Sequence, residues 1–446
     1  MRSSCFFRLL VTVMIYAGSV ASAAAIEPAK NVIIMISDGM GYNHSEAASL
    51  YASGRKHSQV YAGFPVQLAM STYATPGNYN VALIWSRFTE AQQGATDSAA
   101  AATAMASGYK TYRGAIGMVP GKDGRLQPVE NLVERAEKLG KASGVVTSVL
   151  FSHATPAGFV VHNANRKNFQ AIANDLLGNS ALEVLIGCGH PFYDRDGRQL
   201  ETARKLKNVG GLETWQALQS GELGADADAD GQADPWTLIE KRSDFQQLAS
   251  GPTPRRLCGI PQVSKTLQQG RSGNPQHRPY GVPLLKKVPN LTELARAALN
   301  VLDNDPNGFF LMIEGGAVDW ASHDNQSSRM LEEQLDFDRT VAAVVRWVET
   351  HSSWKETLLI VTGDHETGYL TGPGSDPDWR PLINRGRNQV PGMEWHQDYH
   401  SNSLIPLFAK GQGADELRTL IRGEDPVRGP YVDNTAVAEA VFAAFE

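Results

Sequence analysis

The sequence predicts an α/β protein with a mostly parallel central sheet covered by helices on both faces. Two features of the chain lead to this fold class. Continuous apolar runs of strand length end in polar or charged residues, and these runs alternate with segments of helical periodicity. At 446 residues the chain is longer than one compact core requires, so we expect one large catalytic domain that carries insertions.

The predicted elements begin with a buried strand, Asn31 to Ser37 (NVIIMIS), which stops at Asp38. A helix is expected to open at Pro128 and to end at Gly140, because Pro favours the first helical position and Gly the position after the last. Its inward face would carry Val129, Leu132, Val133, Ala136 and Leu139. The strand from Gly144 to Val149 follows directly.

The same alternation returns in the second half of the chain. Phe309 to Ile313 is a predicted strand, Leu331 to Val348 a helix, and Leu358 to Thr362 a strand that leads to Asp364 and His365. Another apolar strand is expected from Leu404 to Phe408. Because open α/β sheets bind ligands at the carboxyl ends of their strands, these polar positions are candidates for a functional site.

The first 25 residues are predicted to be a signal peptide, with Arg2 and Arg8 before an apolar stretch and small residues up to Ala25. A membrane anchor is the alternative, but the apolar run is short for a bilayer span. Residues 26–446 would then form the exported catalytic domain, located in the periplasm or secreted. Removing the two arginines leaves 39 basic residues against 47 acidic ones, so the charge moves from −6 to −8 and a general nucleic-acid binder is excluded.

Between about residues 187 and 289 the periodicity is lost, and we interpret this region as a loop-rich insertion. Within it, the spacing of four acidic residues around Gly231 resembles the start of a calcium loop, although Thr237 stands where a bidentate Glu is needed. These residues are Asp226, Asp228, Asp230 and Asp234. An acidic solvated turn is the alternative to a Ca²⁺ site. Cys188 and Cys258 could form a disulfide or stay as buried free thiols.

Three short segments offer residues for phosphoryl chemistry. Ser98 begins a predicted helix of small residues that runs to Gly108, where amide donors and the helix dipole favour an anion, although helix capping alone would explain a serine there. Asp319 and His323 are four residues apart and face one way on a helix. Asp364 and His365 follow a strand. Carboxylates and imidazoles suit Zn²⁺, but a helix cap or a solvated surface pair would explain these acids individually.

Taken together, the motifs resemble those of the alkaline phosphatases, in the same order and from about Asn31 to about Gly413. They are Asp38-Gly39-Met40-Gly41, Thr96-Asp97-Ser98-Ala99-Ala100, His153-Ala154-Thr155-Pro156, Glu314-Gly315-Gly316 with Asp319 and His323, Asp364-His365-Glu366-Thr367-Gly368, and His400. The resemblance implies a zinc-dependent hydrolase of small-molecule phosphate monoesters with broad leaving-group specificity. It also implies a homodimer. From the chain itself we expect no membrane partner, and no nucleic-acid partner beyond terminal phosphates.

The resemblance also assigns roles to individual residues. Asp319, His323 and His400 would bind one Zn²⁺, whereas Asp38, Asp364 and His365 would bind a second next to the nucleophile Ser98. Asp38, Thr155 and Glu314 would bind a third ion, usually Mg²⁺. Arg166 would hold two phosphate oxygens, although without the family it would be interpreted as a surface arginine. The reaction would pass through a phosphoserine.

Two positions depart from the best-known bacterial pattern of this family. His153 replaces an aspartate near the third ion, and Trp320 replaces the lysine or histidine that commonly follows Asp319, so the identity and affinity of the third ion are left open. His396 is the rival of His400 as a ligand. A phosphodiesterase or sulfatase on the same scaffold, or a non-catalytic exported protein that binds calcium or other metals, are the alternative functions.

Overall fold

The computed structural model describes residues 27–227 and 231–446. The predicted signal peptide, and Asp228 and Asp230 of the predicted calcium loop, lie outside the described residues. In the described part, no helix is both long enough and apolar enough to cross a membrane.

Seventeen strands are described. They are β1 (Asn31–Ser37), β2 (Val66–Ser71), β3 (Met118–Pro120), β4 (Leu126–Pro128), β5 (Ala142–Leu150), β6 (Val184–Cys188), β7 (Gly224–Ala225), β8 (Asp234–Pro235), β9 (Thr237–Ile239), β10 (Leu257–Gly259), β11 (Phe309–Gly315), β12 (Thr357–Thr362), β13 (Glu366–Thr367), β14 (His400–Ser401), β15 (Ile405–Gly411), β16 (Gly423–Asp425) and β17 (Gly429–Asp433).

The described α-helices are as follows. They are α1 (Tyr42–Ser53), α2 (Val81–Ile84), α3 (Ser98–Ser107), α4 (Leu132–Lys138), α5 (Ala154–Gly158), α6 (Phe169–Asn174), α7 (Leu212–Ser220), α8 (Arg242–Leu248), α9 (Leu291–Leu302), α10 (Ala317–His323), α11 (Ser327–His351), α12 (Glu416–Thr419) and α13 (Thr435–Phe445).

Eleven of the strands form one central sheet in the order β16-β17-β2-β15-β12-β1-β11-β5-β6-β10-β9. The seven strands from β12 to β9 in this order are all mutually parallel. β15 runs antiparallel to both of its neighbours, and β16 is antiparallel to β17. The prediction of a mostly parallel sheet is therefore confirmed.

Helices cover both faces of this sheet, as the side chains of β1 show. Val32, Ile34 and Ile36 are buried in one core, which also contains residues of α3 and α13. The alternate residues Ile33 and Met35 are buried in the other core, which contains residues of α9 and α11. Because successive side chains of a strand point to opposite faces, a strand that is apolar throughout needs cover on both sides.

The helix predicted to open at Pro128 begins later, so this prediction is wrong at its start. Pro128 ends β4, and α4 starts after Asn131. The Asn131 side chain accepts a hydrogen bond from the Glu134 amide at 3.0 Å, and the Glu134 carboxylate accepts one from the Asn131 amide at 3.0 Å. This reciprocal capping box satisfies two amide groups, which a proline at the start cannot do. Leu139, expected to face inward, is 43% exposed.

The region predicted as a loop-rich insertion contains more regular structure than expected. β10 pairs with β6 of the central sheet and β9 pairs with β10, so this region extends one edge of the sheet. It also carries α7 and α8. Cys188 and Cys258 are both buried and free, which favours the thiol alternative.

Gly39 shows how closely the site-bearing elements approach each other. Its φ of +81° is left-handed, and a Cβ atom there would lie 2.7 Å from Asp319 Cα and 3.0 Å from the Thr367 hydroxyl. Only glycine gives β1 and α10 this contact without strain. Gly124 has a similar φ of +78° but nothing within 4 Å of such a Cβ.

Replacing Gly39→Ala should therefore destabilise the protein more than Gly124→Ala. We expect the control to cost about 1 kcal/mol for the left-handed backbone alone, and Gly39→Ala to cost roughly 2–4 kcal/mol because the clash is added. Urea unfolding of both variants measures the difference. Equal losses of unfolding free energy in the two variants would show that the contact between Gly39, which follows β1, and Asp319 of α10 is not tight.

Candidate active site

The predicted ligands meet at the carboxyl ends of adjacent strands. Asp38 directly follows β1, Glu314 lies near the end of β11, and Asp364 comes two residues after β12. In the register of the sheet, Ile36 is opposite both Glu314 and Thr362, so the three strands end at one level. All three acids are fully buried.

Asp319, His323 and His400 form the first cluster of donor atoms. Asp319 Oδ1 lies 3.3 Å from His323 Nε2 and 3.4 Å from His400 Nε2, and the two Nε2 atoms are 3.2 Å apart. Ligands at 2.0–2.1 Å from a tetrahedral Zn²⁺ lie about 3.3 Å from each other. The three atoms therefore have the spacing of three ligands around one zinc ion.

Neighbouring groups fix the orientation of the two imidazoles. His323 Nδ1 is 2.7 Å from the Asp398 carbonyl, and His400 Nδ1 is 2.8 Å from the Thr96 carbonyl. If each Nδ1 donates to its carbonyl, Nε2 keeps its lone pair for a metal. β14 brings His400 to this position by pairing with β13, where Thr367 is opposite His400.

Asp38, Asp364 and His365 form the second cluster, next to Ser98. His365 Nε2 lies 3.6 Å from Asp38 Oδ1, 3.2 Å from Asp364 Oδ2 and 3.2 Å from Ser98 Oγ. The other oxygen of Asp364 accepts hydrogen bonds from the Gly39 amide at 3.0 Å and the His365 amide at 2.9 Å. The carboxylate is thus held by the backbone with one oxygen directed at the cluster.

Several buried atoms of the site have no hydrogen-bond partner among the residues that the structure describes. They are both carboxylate oxygens of Asp38, Asp364 Oδ2, Glu314 Oε1, Thr155 Oγ1 and His153 Nδ1. Glu314 Oε2, in contrast, accepts a hydrogen bond from the Thr147 hydroxyl. Buried oxygens without partners are costly, and bound cations would satisfy them. This donor set fits two zinc ions and a third, oxygen-preferring ion.

The raised pKa values of Asp38, Glu314 and Asp364 also indicate that these acids need a positive charge nearby. Burial and the neighbouring Asp364 and Asp319 raise the pKa of Asp38 well above its usual value. Burial raises the pKa of Glu314 to about 7 and that of Asp364 to about 6. Several carboxylates that ionise with difficulty in one buried space are stabilised when a cation enters between them.

The histidines divide into two kinds. Burial, followed by the charge of His400, lowers the pKa of His365 well below its usual value, so its imidazole is neutral and able to bind a metal. Burial also opposes protonation of His323, but the hydrogen bond and charge of Asp319 outweigh it and raise its pKa to about 9. A metal ion on Asp319 would therefore compete with a proton on His323.

Ser98 is the first residue of α3, but it does not cap the helix. Asp97 is the cap, since its carboxylate accepts a hydrogen bond from the Ala100 amide at 3.1 Å. The Ser98 hydroxyl is left to face His365. Capping, the alternative explanation for a serine at this position, is therefore wrong.

Asp97 also holds Arg166, which the sequence had not linked to it. Arg166 Nη1 lies 2.9 Å from Asp97 Oδ2, and the Arg166 side chain is only 21% exposed. The interpretation of Arg166 as an ordinary surface arginine is thus wrong. Sequence could have suggested Asp97 through its place before a helix of small residues, but its pairing with a residue 69 positions away requires the fold.

A cavity of about 850 Å³ opens above these groups. Its walls include Ser98, Arg166, Asp319, His323 and His400, together with His153 and Trp320. The His153 and Trp320 rings pack edge to face with centroids 5.5 Å apart. Arg113, Lys265 and Tyr399 also line this cavity, and the sequence analysis did not single them out.

His396 lies elsewhere. Its Nε2 is 2.7 Å from the Thr371 hydroxyl, and its ring packs against Phe88 at 4.8 Å between centroids. It does not line the cavity described above. The structure thus places His400, and not its rival, at the first cluster.

In the predicted calcium loop, the described acids already have protein partners. Asp226 accepts a hydrogen bond from the Gly231 amide at 2.9 Å, and Asp234 forms an ion pair with Arg255 at 2.9 Å. The other two acids lie outside the described residues, so Ca²⁺ binding stays a prediction.

Comparison with known proteins decides which family this geometry belongs to. The family model of alkaline phosphatase matches residues 29–402. The chain belongs to the alkaline phosphatase family. This result confirms the resemblance found in the sequence.

Curated relatives from this family cover most of the chain. Alkaline phosphatase 4 of Bacillus subtilis (strain 168) is 30% identical over 360 residues, which are 78% of this chain and 64% of that protein. Alkaline phosphatase 3 of the same organism is 30% identical over 378 residues, 81% of this chain and 68% of that protein. The chain thus spans about two thirds of the length of these two enzymes.

A solved alkaline phosphatase also shares the fold. The structure of the enzyme from the Antarctic bacterium TAB5 superposes with a TM-score of 0.63 at 25% identity, covering 94% of this chain and 99% of that chain. This likeness confirms the predicted α/β fold class.

Replacing His400→Ala should remove one zinc ion per chain, because the first cluster loses one of its three ligand atoms. His396→Ala is the matched control, four residues away and outside the cavity, and should keep the full content. Metal analysis after dialysis measures both. Retention of all zinc in His400→Ala, or its loss in His396→Ala, would contradict the ligand assignment.

Proposed function

We propose that this protein hydrolyses phosphate monoesters to an alcohol and inorganic phosphate through a phosphoserine on Ser98. One observation carries the proposal. Ser98 is only 2% exposed, and its hydroxyl lies 3.2 Å from the neutral imidazole of His365 in the second cluster. Ser98 and Arg166 line the same cavity. A hydroxyl beside metal ligands and a guanidinium is an arrangement suited to phosphoryl transfer.

The donor atoms support binding of three ions. Asp319, His323 and His400 would hold one zinc ion, and Asp38, Asp364 and His365 the other. Asp38 would also contact a third ion, Mg²⁺, together with Thr155 and Glu314. When bound, these ions would lower the pKa of the Ser98 hydroxyl and neutralise charge on the attacking and leaving oxygens.

The protein's own groups position the phosphate. Ser98 opens the ten-residue helix α3, whose first amide groups and positive dipole end favour an anion. Arg166 has a planar fork that can donate to two phosphate oxygens, and its ion pair with Asp97 keeps the fork beside Ser98. Positioning of this kind lowers the barrier because it is completed before the reaction begins.

The reaction then has two displacements. In the first, Ser98 Oγ forms a bond to phosphorus while the bond from phosphorus to the leaving oxygen breaks, and the alcohol departs with a proton. In the second, a water oxygen attacks phosphorus, the bond to Oγ breaks, and Ser98 regains its proton as inorganic phosphate leaves. Each step conserves atoms and charge.

The site favours monoesters over diesters. Arg166 can grip two non-bridging oxygens, and the unpartnered atoms of Thr155 and Glu314 indicate a further positive charge for a dianionic group. These residues are placed to bind the phosphoryl group and do not select its organic part, so we infer that many leaving groups are accepted. We also infer export to the periplasm or the medium from residues 1–25, and assembly as a homodimer from the family.

Replacing Ser98→Ala should abolish the covalent intermediate, because the Ser98 hydroxyl is the one next to His365 Nε2, whereas the Thr367 hydroxyl lies at Nδ1 of that ring and donates to Asp319. Wild-type protein incubated with ³²P-labelled phosphate at acidic pH and quenched should carry label, whereas Ser98→Ala should carry none. Its rate with 4-nitrophenyl phosphate should fall by at least about 10³-fold.

Ser107→Ala, at the other end of the same helix, is the matched control and should label normally. Label on Ser98→Ala would show that the nucleophile is misassigned. Faster turnover of bis(4-nitrophenyl) phosphate than of the monoester by wild-type protein would favour a phosphodiesterase instead.

A further inference from the structure

Two cations at the mouth of the cavity have an unusual environment. Lys265 Nζ lies 4.4 Å from the centroid of the Trp320 ring, and the Arg113 guanidinium lies 5.3 Å from that of the Tyr399 ring. Both cations are exposed and line the same cavity as Ser98. The two aromatic residues are the chain neighbours of two proposed zinc ligands, Asp319 and His400.

Neither cation forms an ion pair with an acid in the described part of the chain. Lys265 has no hydrogen bond there through its side chain, and Arg113 donates only to the Tyr399 hydroxyl. An aromatic face attracts a cation without removing its charge, whereas a carboxylate would cancel it. Both side chains are thus held in place while their charge stays available to a ligand.

Hydrogen bonds also hold the backbone next to Lys265 and Arg113. Next to Lys265, the Ser264 amide donates to the Asp194 carbonyl at 3.2 Å, and the Leu267 amide donates to the Ser148 carbonyl of β5 at 3.0 Å. Next to Arg113, the Gly114 amide donates to the Asp97 carboxylate at 3.0 Å. Each cation is therefore tied to an element that also supports the site around Ser98.

The acids at the mouth balance this charge only in part. Asp97 is already engaged by Arg166. Asp324 accepts a hydrogen bond from the neutral Gln326 side chain at 3.0 Å and keeps its negative charge, which acts on Lys265 without an ion pair between the two among the described residues. Lys167 adds a further cation on the cavity wall. Among the described residues, no aromatic ring contacts it as Trp320 contacts Lys265. A substrate whose phosphate reaches Ser98 must therefore extend its organic part past unpaired positive charge.

We propose that Arg113 and Lys265 bind an anionic group on the leaving group, so that monoesters whose organic part carries its own carboxylate or second phosphate are preferred. This inference rests on the proposed phosphatase function and deepens it, because it specifies the substrate class. The shared chemistry is an anionic oxygen group a short distance from the ester oxygen. Charge-assisted hydrogen bonds from a guanidinium and an ammonium would recognise it.

Three alkyl phosphate monoesters test this inference in the metal-loaded enzyme, the first two esters of secondary alcohols and the third of a primary alcohol. Glycerol 2-phosphate has a neutral leaving group, glycerate 2-phosphate carries a carboxylate, and ethylene glycol bisphosphate carries a second phosphate. Lys265→Gln and Arg113→Gln should each raise KM about 5-fold for the two anionic substrates, and the double variant about 20-fold. KM for glycerol 2-phosphate and all kcat values should change less than about twofold.

Control variants distinguish specific recognition by Arg113 and Lys265 from a general effect of positive charge. Lys122→Gln removes an exposed lysine outside the cavity and should change nothing, whereas Lys265→Arg should keep the selectivity. Lys167→Gln should have a smaller effect than the two main variants, because no ring holds Lys167. Added KCl should raise KM more for the anionic substrates than for glycerol 2-phosphate in the wild type, and less so in the double variant.

The outcomes distinguish this inference from the proposed function. A response confined to the bisphosphate or to the carboxylate supports the inference and identifies the preferred group. Equal losses for all three substrates, no loss, or an equally large effect of Lys167→Gln would overturn it while phosphatase activity stands. If wild-type enzyme releases phosphate from none of the three, the proposed function itself fails.

Discussion

The proposed metal site and its reaction depend on several buried carboxylates that lie together at one edge of a parallel sheet. Asp38, Glu314 and Asp364 are fully buried. After burial itself, the charges of Asp364 and Glu314 raise the pKa of Asp38, and the charge of Asp364 also raises the pKa of Glu314. In a low-dielectric interior such carboxylates are stable only when protonated or when cations lie between them. The proposed ions would thus serve the structure as well as the reaction.

The fold meets this constraint with rigid elements. Three adjacent parallel strands deliver the acids at one level, and the pairing of β13 with β14 adds His400 from a distant part of the chain. Behind them, Glu366 accepts hydrogen bonds from the Tyr369 amide, the Leu370 amide and the Ser401 hydroxyl. Groups held by the backbone need little reorganisation when a charged substrate arrives, which is the general advantage of a preorganised site.

Sequence reasoning succeeded where a pattern is local. A buried strand that ends in an acid, as at Asp38 and Asp364, and an Asp and His one helical turn apart are visible without a structure. The start of α4 was wrong because a capping box at Asn131 competes with the proline rule, and both are local preferences of similar strength. The pairing of Asp97 with Arg166 could not be found, nor could Arg113 and Lys265, because these contacts join residues far apart in sequence, with Tyr399 and Trp320 as the partners of the two cations.

The proposed chemistry requires these scattered donors to converge on two zinc ions beside Ser98. Anomalous X-ray diffraction from crystals of the metal-loaded protein, recorded on both sides of the zinc absorption edge, would locate the ions. We expect two zinc peaks, one bound by Asp319, His323 and His400 and the other by Asp38, Asp364 and His365. A single zinc peak, or zinc bound away from these six side chains, would show that the donors do not form a two-zinc site.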